Sequence, residues 1–511
     1  MYEILLGPVP QLLATILFVW IVWRLLKHDA PKPMLRSVAI LVLGDVGRSP
    51  RMMYHAESFA KHGFETYPVG YKGARPIASL LSLPHVHLTY IPGPPSALSG
   101  LPFIIAAPFK ILHQVVSILQ ALLSRIPHPP EFILVQNPPS IPTLALVWFV
   151  GQWRGSKVII DWHNLGFSIL ALKLGGSHPF VKLARRFEAT FGRHAYAHLF
   201  VTRAMHDYLS KEWRLIGRKV VLHDRPPSHF RRASESEIHE LFLRLGPSLS
   251  APALTWFLPP STPPYSTPFT HVTESDSSLT PLASPSLNMP TLRPDRPALV
   301  VSSTSWTQDE DFSILLAALG LYEQRAKEAN GRLPKILAVV TGRGPLKERY
   351  MKEVGKLQEE WEWVRCVSLW LEAEDYPVLL GSADLGVSLH SSSSALDLPM
   401  KIVDMFGCGL PVCALDFACL HELVREGTNG LIFKDAAQLS DQLETLLTSF
   451  PSSEGLASLR SSLAKPPDHP HATRDLGLTG SEGEHWEWSS WTENWDKVMM
   501  PLILRDIQGL S

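Results

Sequence analysis

Residues 385–415 read as strand, loop, helix and strand, and a chain built from such units is held to a parallel sheet with crossover helices on its faces. Leu385–Leu389 is an apolar strand and Ser391–Ala395 a loop of small residues. Asp397-Leu398-Pro399 opens a helix, with Pro399 in the first turn, where its missing N–H would be unpaired anyway. Met400–Phe406 continues the helix, Gly407 and Gly409 end it, and Leu410–Leu415 is the next strand. A Ser-rich loop opening onto a helix N-terminus makes an anion site, because free backbone N–H groups and the helix dipole both favour negative charge. Ser393 and Ser394 lie in that loop, and Lys401 adds a cation in the first turn. Asp397 and Asp404 are about two turns apart, so a helix running through both would set them on one face. The same residues also fit an ordinary βαβ unit with a solvated helix start.

The pattern recurs along the chain. Ser37–Leu43 is a buried-type strand followed by GDVGRSPRMMYHAESFAKHG, a glycine turn and an amphipathic helix. Gly44 and Gly47 allow the backbone close to a ligand, and Asp45, Arg48 and Arg51 are the polar groups at that loop; Asp45 also fits a plain helix cap. Glu65–Val69, Phe132–Gln136 and Lys157–Asp161 are further strands. The last ends in DWHNLG, which puts His163 and Asn164 at the carboxyl end of a parallel strand, where open α/β sheets bind ligands. After Ala298 come ALVVSSTSWTQDEDF and then ILAVVTGRGPLKERY, each a strand, a small-residue loop and a helix start. Arg343 and Lys347 stand at the second loop as candidate phosphate contacts, or as parts of a solvated turn. Together these give an α/β protein of two Rossmann-like domains facing across a cleft.

At 511 residues the chain is too long for one typical core. Its net charge of −1 argues against a nucleic-acid partner. The four cysteines show no metal-ligand spacing and read as reduced thiols. Ile4–Trp23 is uncharged and long enough to span a bilayer, with Arg24, Lys27, Lys32 and Arg36 after it. This predicts a signal anchor over residues 1–30, with everything after it in the cytosol. Residues 100–124 are apolar but interrupted by Pro108, Lys110, His113 and Gln114, which fits a helix at the membrane surface or in a core. The domains are then 37–245, a Pro/Ser-rich insertion at 246–297 expected to be disordered, 298–480, and a Trp-rich C-terminal helix over 481–511 packing back on the first domain.

GDVGRSPRM, QNPPSIPTL, DWHNLGFS, SSTSWTQDEDFSILLAAL, TGRGPLKE and SADLGVSLHSSSSALDLPMKIVDMFGCGLPVCAL resemble the chitobiosyldiphosphodolichol β-mannosyltransferases, from about residue 37 to 435. The resemblance implies a GT-B glycosyltransferase that moves mannose from GDP-mannose to GlcNAc2-diphosphodolichol, making a β-1,4 bond on the cytosolic face of the endoplasmic reticulum membrane. Other early dolichol-pathway mannosyltransferases are the partners it implies. The residues at 37–245 would then bind the acceptor and those at 298–480 GDP-mannose.

The wider GT-B group carries a Glu-x7-Glu motif in the donor domain. The matching positions here are Asp397, which by resemblance faces the sugar, and Asp404, which holds the ribose. Many relatives place an Arg/Lys pair after the first donor-domain strand; this chain has Ser305-Trp306-Thr307, so the diphosphate charge is assigned to Arg343 and Lys401, with Ser393 and Ser394. Inversion in one displacement needs a base on the acceptor hydroxyl and cations at the departing GDP. Asp45 and His163 are the candidate bases, with Asp161 pointing inward to orient the loop. Gly44, Gly47, Arg48, Arg51 and Asn164 are the acceptor-side residues. No tightly bound metal is expected, with Mg2+ or Mn2+ as an aid to GDP departure. The alternatives are a lipid-linked α-mannosyltransferase, separated by product linkage, and a non-catalytic GT-B-like scaffold subunit, separated by activity.

Overall fold

The structure is a computed structural model that describes residues 33–93, 95, 103–272, 289–307, 310–329, 331–392, 394–464 and 490–504. The chain forms two compact units: residues up to Val201 with Met205–Val221, and Thr202–Ala204 with Leu222 onward. The anchor expected over residues 1–30 lies outside the described residues. Among the described residues, no helix is long and apolar enough to cross a membrane.

The first unit is built on seven parallel strands: β1 (Met34–Asp45), β2 (Glu65–Tyr71), β3 (Thr89–Ile91), β4 (Pro130–Asn137), β5 (Lys157–Trp162), β6 (His194–Phe200) and β7 (Ile216–Val221). Their order is β3-β2-β1-β4-β5-β6-β7. The middle strands are buried along nearly their whole length, as in β4, because helices cover both faces of a parallel sheet. The chain runs outward from β1 to β3 and then returns past β1 to β4. That reversal opens a crevice at the carboxyl ends of β1 and β4.

The helix Phe103–Gln120 continues as one wider turn, Ala121–Arg125. It is neither a second span nor fully a core helix. Ile118, Ala121 and Leu122 are buried, while Phe109, Leu112 and Val116 are exposed along one stripe.

The second unit holds an antiparallel pair, β8 (Thr270–Val272) and β9 (Pro290–Leu292), and a six-stranded parallel sheet. The sheet strands are β10 (Ala298–Ser303), β11 (Ile336–Thr341), β12 (Val364–Leu369), β13 (Leu385–Ser388), β14 (Val412–Leu415) and β15 (Gly430–Phe433), in the order β12-β11-β10-β13-β14-β15. The reversal here lies between β10 and β13.

Two expected boundaries are corrected. Residues 222–245 belong to the second unit, not the first: Phe230, Ile238, Leu241, Phe242 and Leu245 join a core cluster with Leu299, Val301 and Leu337 of its sheet. Residues 246–272, expected to be disordered, are folded. Leu249, Leu254, Phe257, Leu258 and Phe269 bury themselves in that same cluster, so the few apolar residues between the prolines carry the segment. The C-terminal helix Trp491–Leu504 groups with the second unit, where the Trp491 N–H donates to Pro226 O (3.2 Å) and Asn494 Nδ2 to His223 O (2.8 Å).

Candidate functional site

Each unit carries its polar cluster at its own strand-order reversal. In the first unit Asp161, next to last in β5, is fully buried and accepts four bonds. Arg51 donates to it twice, from Nε to Oδ2 (2.8 Å) and from Nη2 to Oδ1 (2.9 Å). His55 Nε2 lies 3.2 Å and His163 Nε2 2.8 Å from Oδ2. Burial opposes charge on Asp161, but the Arg51 guanidinium and the two imidazoles hold its carboxyl well below the usual carboxylate range. Burial in turn pushes His55 down, which favours its neutral form.

His163 is the only member of this network that reaches solvent, with a fifth of its side chain exposed against none for Asp161 and His55. Its Nε2 faces the ionised Asp161, so Nε2 carries the proton and Nδ1 is left as the acceptor. Its backbone is pinned as well, since His163 N donates to Asn137 O at the end of β4 (2.9 Å). Asn164 turns its Oδ1 onto the Leu165 N–H (2.7 Å). The buried Glu188 carboxylate takes the Gly166 and Phe167 N–H groups at 2.8 and 3.1 Å, so the following helix start is already capped from within.

Asp45 is engaged as a cap. Its Oδ1 accepts from Gly47 N (3.0 Å) and its Oδ2 from Ala74 N (2.8 Å), with Arg48 Nε at 3.4 Å. Gly47 lets two backbone segments meet: a Cβ there would lie 2.2 Å from Ala74 O. Gly44 has open space about it, the nearest atom to a Cβ being Val42 Cγ1 at 3.7 Å. Arg48 is exposed. Arg51, expected at the acceptor, is instead buried in the Asp161 pair, because a carboxylate sealed in the sheet needs a cation beside it.

In the second unit the loops after β10, β11 and β13 meet at the strand ends. Glu310 is the brace, buried and bonded through Oε2 to Thr304 Oγ1 (2.6 Å) and to the Ser305 N–H. Its Oε1 pairs with Lys401, whose Nζ also reaches Ser305 Oγ (3.3 Å). The β10 and β11 loops touch through backbone: a Cβ on Gly342 or Gly344 would come 1.9 Å from Thr304 O or 1.8 Å from Ser305 O. Trp306 (φ 51°) and Ala395 (φ 57°) take the left-handed conformation that side chains disfavour. Packing of the Trp306 ring on Phe312, 4.8 Å between centroids, offsets that strain.

The helix begins at Met400, after the expected opening Asp397-Leu398-Pro399. Pro399 is the N-cap of Met400–Gly407 and gives it no side-chain cap; the Ile402 N–H is taken up by Pro399 O (3.0 Å), which leaves the Met400 and Lys401 N–H groups as the candidates for an anion. Asp397 therefore sits in the loop and not on a helix face shared with Asp404. Its Oδ1 accepts from Ser392 and from Ser394 Oγ (3.1 Å). Ser393 lies outside the described residues. Asp404 is on the helix itself, where burial and then the nearby Asp224 carboxylate raise it well above the usual carboxylate range. Arg343 does not point into the loop cluster. Its guanidinium lies 3.4 Å from the ring centroid of Trp370, at the end of β12, in a cation–π contact.

Glu310 and His390 were not singled out from sequence. The signal for Glu310 is the run Thr304…Glu310, in which an acid follows a Ser/Thr loop at a helix start; that for His390 is its place directly after β13.

Residues 297–449 match the family model described as glycosyl transferases group 1. A chitobiosyldiphosphodolichol beta-mannosyltransferase of Mus musculus is 41% identical over 498 residues, which are 97% of this chain and 95% of that protein. A relative from Arabidopsis thaliana named UDP-glycosyltransferase TURAN is 38% identical over 92% of this chain and 98% of its own. Among solved structures, a sucrose-phosphate synthase from Thermosynechococcus elongatus superposes with a TM-score of 0.57 at 14% identity, covering 94% of this chain and 100% of that one. Two parallel α/β sheets, each with its polar cluster at the strand reversal, and sequence identity that runs through both, place this chain in the chitobiosyldiphosphodolichol beta-mannosyltransferase family of GT-B glycosyltransferases.

Proposed function

We propose that this enzyme transfers mannose from GDP-mannose to GlcNAc2-diphosphodolichol, forming the β-1,4 linkage that begins the mannosylation of the N-glycan precursor. The observation that carries the proposal is the near full-length identity to relatives named as chitobiosyldiphosphodolichol beta-mannosyltransferases. The donor is α-linked and the product β-linked, so one in-line displacement accounts for the stereochemistry. The acceptor hydroxyl attacks the anomeric carbon, its proton passes to a base, and the glycosyl–phosphate bond breaks with its electron pair leaving on GDP.

His163 is the favoured base, since its Nδ1 is the acceptor left by the bond to Asp161, whereas both oxygens of Asp45 are taken by backbone donors. In the donor unit, the uncapped N-terminus of Met400–Gly407 with Ser394 and Lys401 is the favoured diphosphate site, and Asp404 the ribose contact. Catalysis does not depend on a tightly bound metal; Mg2+ or Mn2+ from solution assists departure of GDP. The enzyme is held at the endoplasmic reticulum membrane by residues 1–30, with its catalytic units in the cytosol beside other early dolichol-pathway mannosyltransferases.

A relative is named as a UDP-glycosyltransferase, so the test is made on the donor base. Purified enzyme with a GlcNAc2-diphosphate lipid is offered GDP-mannose, UDP-glucose or UDP-GlcNAc at equal concentration. Transfer from GDP-mannose alone is expected; transfer from a UDP-sugar contradicts the donor assignment.

A further inference from the structure

The donor cluster is short of positive charge. Lys401 is already paired with Glu310, and Asp397 adds a carboxylate to the same loop. Arg343 is drawn onto Trp370. A diphosphate leaving group that gains negative charge as the glycosyl bond breaks needs a further donor aimed at it.

His390 has the position and the free atom. It follows β13 directly, at the strand reversal, and its backbone bridges to Glu310. Its ring packs edge-on against Phe417, 5.9 Å between centroids, which fixes its plane. Its Nε2 is buried and has no hydrogen-bond partner among the described residues. The nearest carboxylate oxygen, Asp397 Oδ2, is 3.8 Å away, beyond bonding range. A buried ring nitrogen left unbonded costs free energy unless a ligand atom satisfies it.

We propose that His390 donates from Nε2 to the phosphate oxygen that departs with the nucleoside diphosphate. Asp397, held by Ser392 and Ser394, is the positioning residue beside that ring. As the bond from the anomeric carbon to that oxygen breaks, the electron pair goes to the oxygen, and the His390 N–H bonds to the charge that builds there. The proton lost by the acceptor hydroxyl goes to the base, so no other reactant is needed. Asp397 lies on the same loop as His390, Glu310 bridges to its backbone, and Lys401 pairs with Glu310.

The inference rests on the proposed transfer reaction, and its test separates the two. Full-length enzyme is assayed for mannose transfer from GDP-mannose as wild type, His390→Gln and Asp397→Asn, with kcat, KM for GDP-mannose and melting temperature measured on each. His390→Gln should lose about 100-fold in kcat with little change in KM and keep its melting temperature. Asp397→Asn should lower kcat in the same direction, again with little change in KM. A kcat within twofold of wild type in His390→Gln overturns the inference and leaves the transfer reaction standing. A wild type that transfers nothing from GDP-mannose overturns the transfer reaction itself. If His390→Gln melts early, His390→Asn replaces it under the same criteria.

Discussion

Two buried aspartates end in opposite electrostatic states. Asp161 is buried with Arg51 against it and stays ionised. Its stabilisation is fully present above the ordinary carboxylate pKa of about 3.9 and is lost as pH falls through its lower folded value. The advantage of wild type over Asp161→Asn in urea melts should therefore shrink below about pH 4. Arg51→Ala leaves that carboxylate buried without its cation and should cost about 3–5 kcal/mol in the same melts. Asp404 has the opposite sign: its folded pKa is raised, so its contribution is best below the unfolded value and turns unfavourable as pH rises. Asp404→Asn should raise the melting temperature at pH 7.5 while weakening GDP binding at least tenfold; unchanged GDP affinity would remove Asp404 from the donor site. Asp45→Ala, a lost cap, should cost about 1 kcal/mol of stability, while His163→Ala should lower kcat about 100-fold or more with little change in melting temperature.

The loops at the strand ends, more than the strands, decide what is legible at the scale of elements. Apolar runs marked β1, β4, β5, β10, β11 and β13 within a few residues, because a strand buried on both faces leaves a continuous hydrophobic signature. β3 has three residues at a sheet edge and left none. His163, Asn164, Ser394, Asp397 and Lys401 were legible because they follow such strands. Which of them are free was not, since that depends on partners distant in sequence: Arg51 meets a carboxylate 110 residues away and Lys401 one 91 residues away. Residues 246–272 were misread because composition counts prolines and not where the intervening apolar residues go. Phe269 is buried and stacks on Phe242, with 4.1 Å between centroids. Phe269→Ala should cost about 3–5 kcal/mol in chemical denaturation, where a disordered segment would cost nothing.

At the scale of the molecule, each unit holds its own cluster: an imidazole fixed by a buried carboxylate in one, and in the other a helix start whose Lys401 pairs with Glu310. Both clusters are built from residues after residue 30, so protein lacking residues 1–30 should retain transfer to a detergent-soluble acceptor. Chelation with EDTA should slow turnover without abolishing it, and Mg2+ should restore the full rate. The most direct measurement is transfer of labelled mannose from GDP-mannose to a GlcNAc2-diphosphate lipid, followed by β-mannosidase digestion of the product. A trisaccharide lipid that loses its label to β-mannosidase is the predicted result, and establishes donor, acceptor and inversion together. A labelled product that resists β-mannosidase and yields to α-mannosidase would contradict the inverting displacement.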